Sequence, residues 1–138
     1  MAKFVMLNCQ VLVNGVDFTD HCNSVEVDLV KKSVDTTNFS GGGFEQTQGL
    51  REDTFTLTLQ QDFAAAEVDA TLYPLYNAGG EFTVEVRPVA GARSTTNPGY
   101  VGTCILLNYT PLTGKPGALS ETKIKFPSQR TGITRQTS

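Results

Sequence analysis

Hydrophobic and polar residues alternate along most of this chain. "SVEVDLVKK" sets Val25, Val27 and Leu29 against Glu26 and Asp28, and "TFTLTLQQ" sets Phe55, Leu57 and Leu59 against Thr54, Thr56, Thr58 and Gln60. "EFTVEVRPV" repeats the pattern with Phe82, Val84 and Val86 inward and Thr83, Glu85 and Arg87 outward, and "ALSETKIKF" places Ile124 and Phe126 opposite Lys123 and Lys125. A period of two puts successive side chains on opposite faces of a strand, so each segment reads as a β-strand with one wet face. "KFVMLNCQVLVNGVDFT" reads as a hairpin, because Asn14-Gly15 tolerates the positive φ angles of a type I′ turn. "YVGTCILLNYT" is apolar on both faces and reads as a covered strand.

One segment changes period. In "DFAAAEVDATLYPLYNAGG", Val68, Leu72, Leu75 and Tyr76 fall at helical spacing, with Asp62 or Asp69 as candidate caps and Gly79-Gly80 as a stop. Pro74 places either the first turn of a short helix starting near Thr71 or a kink in a longer helix from Ala64. The sum is roughly six or seven strands and one helix. The predicted architecture is mainly β, an antiparallel β-sandwich or barrel-like sheet pair with one packed α-helix, in a single domain spanning 1–138. Phe55, Leu57, Leu72, Phe82 and Val84 are its predicted core.

Ser33 to Asp53, "SVDTTNFSGGGFEQTQGLRED", resists this reading. It has no clear period, contains three consecutive glycines, and is long for a connection in a small domain. The end is also different: after Pro127, "SQRTGITRQTS" is a polar tail without the apolar content to fold alone.

Composition excludes several classes of function. The longest apolar runs are too short to span a bilayer as a helix and the start lacks the flanks of a signal peptide, so an intracellular product and no membrane partner are expected. The net charge of −3 is unevenly spread. Met1–Gly114 carries 6 basic and 13 acidic residues, a net of −7, whereas Lys115–Ser138 carries 5 basic residues and Glu121, a net of +4. An acidic body argues against a phosphate-gripping groove. The bland account of the basic end is a solvated tail; the sharper one is that Lys123, Lys125, Arg130 and Arg135 of one copy meet acids such as Asp35, Glu45, Glu52 or Asp53 of another.

No catalytic, cofactor or metal site is expected. Cys9, Cys22 and Cys104 match no metal spacing and read as free thiols. His21 is the only histidine, and on an extended segment Asp20 and Cys22 would point away from it, which leaves it solvent-facing or capping. "SGGGFEQTQG" and "TGKPG" lack the Lys-Ser/Thr and the following helix of a phosphate loop. Glu26 with Asp28 could form a carboxylate pair, but a wet sheet face explains both. "NFS" and "NYT" match glycosylation acceptors without a secretory context.

The order of parts then becomes informative. A glycine-rich segment between amphipathic strands, "GLREDTFTLTLQQD", a short helix ending "LYPLYNAGGEFTVEVRP" and a closing strand pair resemble the tail tube (major tail) proteins of long-tailed bacteriophages over nearly the whole chain. That resemblance implies a structural virion protein, made in the host cytoplasm, that self-assembles into stacked hexameric rings. Genomic DNA would pass through the central channel without specific binding, and the partners would be tape measure, tail terminator and tail tip proteins. Within it, the segment 33–53 becomes an assembly loop. Thr36, Asn38, Phe39, Gly42, Phe44 and Glu52 are then expected at subunit interfaces with Arg130 and Arg135 of the tail, and Glu26, Asp28, Thr56, Thr58 and Glu85 on the channel face. A tail terminator of the same fold and a small β-sandwich binding module are the alternatives. The absence of Trp weighs against a carbohydrate-binding module.

Overall fold

The computed structural model describes residues 3–138. Its chain order is β1 (Gln10–Val13), β2 (Val16–Asp17), β3 (Cys22–Asp28), β4 (Lys31–Asp35), β5 (Gln46–Arg51), β6 (Thr54–Gln60), α1 (Val68–Ala78), β7 (Phe82–Arg87), β8 (Gly99–Cys104), β9 (Glu121–Pro127) and β10 (Thr134–Gln136). A five-stranded antiparallel sheet, β10-β8-β7-β1-β2, lies against a three-stranded one, β3-β6-β9, and β4-β5 pair separately. The architecture is mainly β with one packed helix, as the alternation indicates.

The core fills the space between the sheets. Val11, Val13, Val84 and Val86 come from the first; Phe55, Leu57, Leu59, Ile124 and Phe126 from the second; Val68 and Leu72 from the helix. Phe82 meets Phe126 edge to face with ring centroids 5.7 Å apart, a geometry that adds about 0.5–1.5 kcal/mol to area burial. Thr122 shares this interior, and its hydroxyl has no hydrogen-bond partner among the described residues.

Local chemistry explains the punctuation. Asn14 (φ 50°) and Gly15 (φ 81°) form the turn that sets Val13 opposite Val16. The helix starts at Val68, so Pro74 lies in its interior instead of its first turn. Neither Asp62 nor Asp69 caps it: the Asp62 carboxylate takes the Ala64 N–H, and Asp69 accepts the Tyr109 hydroxyl at 2.8 Å. Gly79 (φ 71°) ends the helix and donates to Leu75 O.

Three expectations need correction. The segment 33–53 is no irregular connection, since most of it is the β4-β5 hairpin. The C-terminal segment does not trail free. Ile133 is buried, and β10 pairs with β8 from Thr134↔Val101 to Gln136↔Gly99. The covered strand is also shorter than its apolar run, ending at Cys104, with Leu106 buried and Leu107 exposed beyond it.

Candidate functional site

The β4-β5 hairpin rises from the sandwich with almost every side chain in water. Its register runs Asp35↔Gln46, Val34↔Thr47 and Ser33↔Gln48, then shifts before Lys31↔Arg51. The extra residue on β5 is accommodated beside Gly49, where a Cβ would come within 2.9 Å of the Val34 side chain. The tip orders itself: Thr36 N–H donates to Glu45 O, Glu45 N–H to the Thr37 hydroxyl, Thr37 N–H to Asp35, and Ser40 N–H to Asn38. Phe39 and Phe44 project from this tip at 107 % and 95 % exposure, with Leu50 and Val34 exposed lower down. Thr36, Asn38 and Gly42 share the tip, and Glu52 sits at its base in a 2.7 Å pair with Lys32.

One buried carboxylate ties that base to the sandwich. Asp53 is 2 % exposed; one oxygen accepts Val30 N–H at 2.9 Å, and the other accepts Ile133 N–H at 2.9 Å and the Arg51 guanidinium. Arg51 also donates to Ile133 O at 2.8 Å. Burial alone would raise the Asp53 pKa, but these donors and the Arg51 charge outweigh it and hold it below the usual value. Gly132 (φ 70°) is required here, since a Cβ would strike Asp53 and Arg51. Asp53 is therefore unavailable to another copy, which corrects its expected place among exposed acids.

The outward face of the β3-β6-β9 sheet carries the second set of residues. Glu26, Asp28, Thr54, Thr56, Lys123 and Lys125 line one shallow open depression, and Thr58 pairs with Lys123 in the next cross-strand row. Glu85 does not belong to it. It lies on β7 in the other sheet, 7 % exposed, clamped by Arg93 at 2.8 Å and by Arg87, and hydrogen bonding to Arg93, against burial, lowers its pKa. Arg93 also bonds Gln136 and Ser138 O, so this ion cluster fastens the loop after β7 to the C-terminus. Arg135 sits on β10 and reaches Thr95 O at 3.4 Å, while Arg130 is exposed.

His21 departs from its expected isolation. The chain turns at this point, so Asp20 approaches Nδ1 at 2.8 Å, while Nε2 faces Asp62 at 3.0 Å and Glu67 at 3.5 Å. His21, Asp62 and Glu67 are spaced closely enough to hold a cation. An imidazolium donating from both nitrogens accounts for the same geometry, and the hydrogen bonds to Asp62 and Asp20 raise its pKa. The contact ties the start of β3 to the approach of the helix. The three cysteines are free thiols, with Cys104 pushed up to about 12 by burial.

Sequence reasoning missed the Asp53 and Glu85 clusters. Their one visible signal is spacing: Arg51-x-Asp53 and Glu85-x-Arg87 put opposite charges on the same side of an extended chain.

No protein-family model and no curated protein sequence matches the chain. Solved structures do resemble it. A chain in the tail of an empty gene transfer agent particle, refined helically with C6 symmetry, has TM-score 0.66 at 12 % identity, over 84 % of this chain and 82 % of that one. A chain in the virion of a native gene transfer agent particle has TM-score 0.70 at 11 % identity, over 94 % and 95 % respectively. At such identities the likeness is one of fold.

Proposed function

We propose that this protein is a structural subunit of a phage-type tail tube, assembling into stacked hexameric rings around a channel for DNA. The observation that carries this reading is the hairpin. A water-exposed β-ribbon with two phenylalanines at its tip, locked at its base by a buried Asp53, makes a surface whose apolar groups find partners only on another molecule. The likeness of fold to chains of tail and virion particles, one of them refined with sixfold symmetry, supports the same reading.

In this account Thr36, Asn38, Phe39, Gly42, Phe44 and Glu52 contact adjacent copies, and the exposed Arg130 lies near a mating surface. Glu26, Asp28, Thr56 and Thr58 face the channel, where short polar and acidic groups keep phosphates from adhering. The role is structural and not catalytic. The location is the virion, with tape measure, terminator and tip proteins as further partners and DNA passing without specific recognition.

Electron microscopy of the purified protein across a concentration series tests the proposal. Hollow filaments of stacked rings are expected. Isolated rings that never stack would point to a terminator, and monomers at every concentration would contradict the proposal.

A further inference from the structure

The β3-β6-β9 sheet separates acids from lysines over three consecutive cross-strand rows. On its outward face the cross-strand rows read Ser24–Thr58–Lys123, Glu26–Thr56–Lys125 and Asp28–Thr54–Pro127. In these rows the acids stand on one edge strand, threonines fill the middle, and the lysines stand on the other edge; Glu121, at the start of β9 on the same face, accepts from Asn23 of β3. Two strand spacings, about 9–10 Å, separate the edges. Among the described residues, none of Glu26, Asp28, Lys123 and Lys125 forms an ion pair within the chain, although Lys32–Glu52, Arg51–Asp53 and Arg87–Glu85 do.

Both edges are also open where these charges lie. Residues 6–9 line a cleft beside Cys22–Val25 and Phe4 and Met6 line another beside Val27 and Leu29, but among the described residues the backbone of Glu26–Asp28 bonds only to β6. On β9, Ile105 N–H reaches Pro127 O at one end and Ser120 bonds Thr113 O beyond the other, and among the described residues the backbone of Lys123–Lys125 bonds only to β6. Because β3 and β9 are each antiparallel to β6, they run in the same direction. A rotation that carries one copy to the next around a ring therefore brings a β9 edge to a β3 edge without reversing either, the geometry of a head-to-tail interface.

We propose that the occupant of each edge is a second copy of this chain, with Glu26 and Asp28 of one subunit pairing with Lys123 and Lys125 of the next. This rests on the tube reading and adds a rule to it: charge fixes which edges meet, in which direction and register. It also removes a difficulty with that reading, since unpaired lysines beside a channel would hold phosphate. Paired to carboxylates of the neighbouring copy, they are neutralised at each junction.

The test is a charge swap read by electron microscopy and sedimentation, with thermal melting to verify folding. Lys123→Glu/Lys125→Glu makes both edges acidic, and Glu26→Lys/Asp28→Lys makes both basic. At low salt each double variant should lose ring formation by about tenfold or more while melting cooperatively. Mixing the two in equal amounts should restore rings, because alternating copies then oppose acid to base at every junction and six is an even number. The quadruple swap in one chain should also assemble. If wild type forms rings and either double variant forms them equally well, or if the mixture fails to restore them, the edge pairing is overturned and the tube reading stands. If wild type forms no rings, the tube reading itself falls and takes the pairing with it.

Discussion

Leu57 on β6 and Phe44 at the end of the hairpin tip are both large apolar residues, yet one is 0 % and the other 95 % exposed. The two regions answer to different solvents. β6 is the central strand of its sheet and alternates in burial from Phe55 onward, because one face meets the other sheet and one faces outward. β4-β5 has water on both faces within the single chain, so no core imposes a period and its stability comes from its own ladder and its anchor at Asp53. The sandwich buries its apolar faces within one copy, whereas the large apolar side chains of the hairpin stay in water.

That contrast can be broken most severely by removing the tip. Deleting residues 38–46 should abolish assembly altogether, seen by light scattering, while the remaining monomer still unfolds cooperatively. Loss of the folded state would show that the hairpin belongs to the core.

Paired truncations sharpen the comparison. Leu57→Ala should cost about 2–5 kcal/mol in denaturant unfolding, as a cavity opens between the sheets. Phe44→Ala should cost less than about 0.5 kcal/mol in the monomer, as exposed positions do, while weakening assembly.

Asp53 joins the two regions, so its removal should have an intermediate effect. Asp53→Ala strands the N–H groups of Val30 and Ile133 and should cost about 1–3 kcal/mol. The sign of the pH dependence follows from the lowered pKa. Its contribution is fully present above the ordinary carboxylate range and is lost as pH falls through the folded-state value, so wild type and variant should converge in stability under strong acid. Acid titration of the two proteins by circular dichroism checks this.

The smallest effect is a gain confined to the sandwich. Thr122→Val keeps the shape, removes the unpartnered hydroxyl, and should stabilise by about 1 kcal/mol without altering assembly.

The sandwich was legible in the sequence because its burial is periodic: Phe55, Leu57 and Leu59, Phe82, Val84 and Val86, and Ile124 and Phe126 all lie inside. The Asn14-Gly15 turn and the Gly79 stop were legible because each demands a particular backbone conformation. The β4-β5 strands were not, since a ribbon wet on both faces leaves no alternation to read. Glu85 looked solvent-facing by its period, but its burial depends on Arg93 arriving from a later loop, which no local window contains. His21 was misplaced for a similar reason. Its partners Asp62 and Glu67 are distant in sequence, and a turn replaced the extended geometry assumed around Asp20.

The account's central claim is that the hairpin is completed by another copy, and hydrogen exchange followed by mass spectrometry tests it most directly. In the monomer, amides of residues 36–45 should exchange quickly and those of the interior strands β6 and β7 slowly, since local openings are easiest where little apolar surface is buried. After assembly the tip amides should become strongly protected while those of the interior strands β6 and β7 change little. Tip amides that exchange as fast in the assembled protein as in the monomer would contradict it.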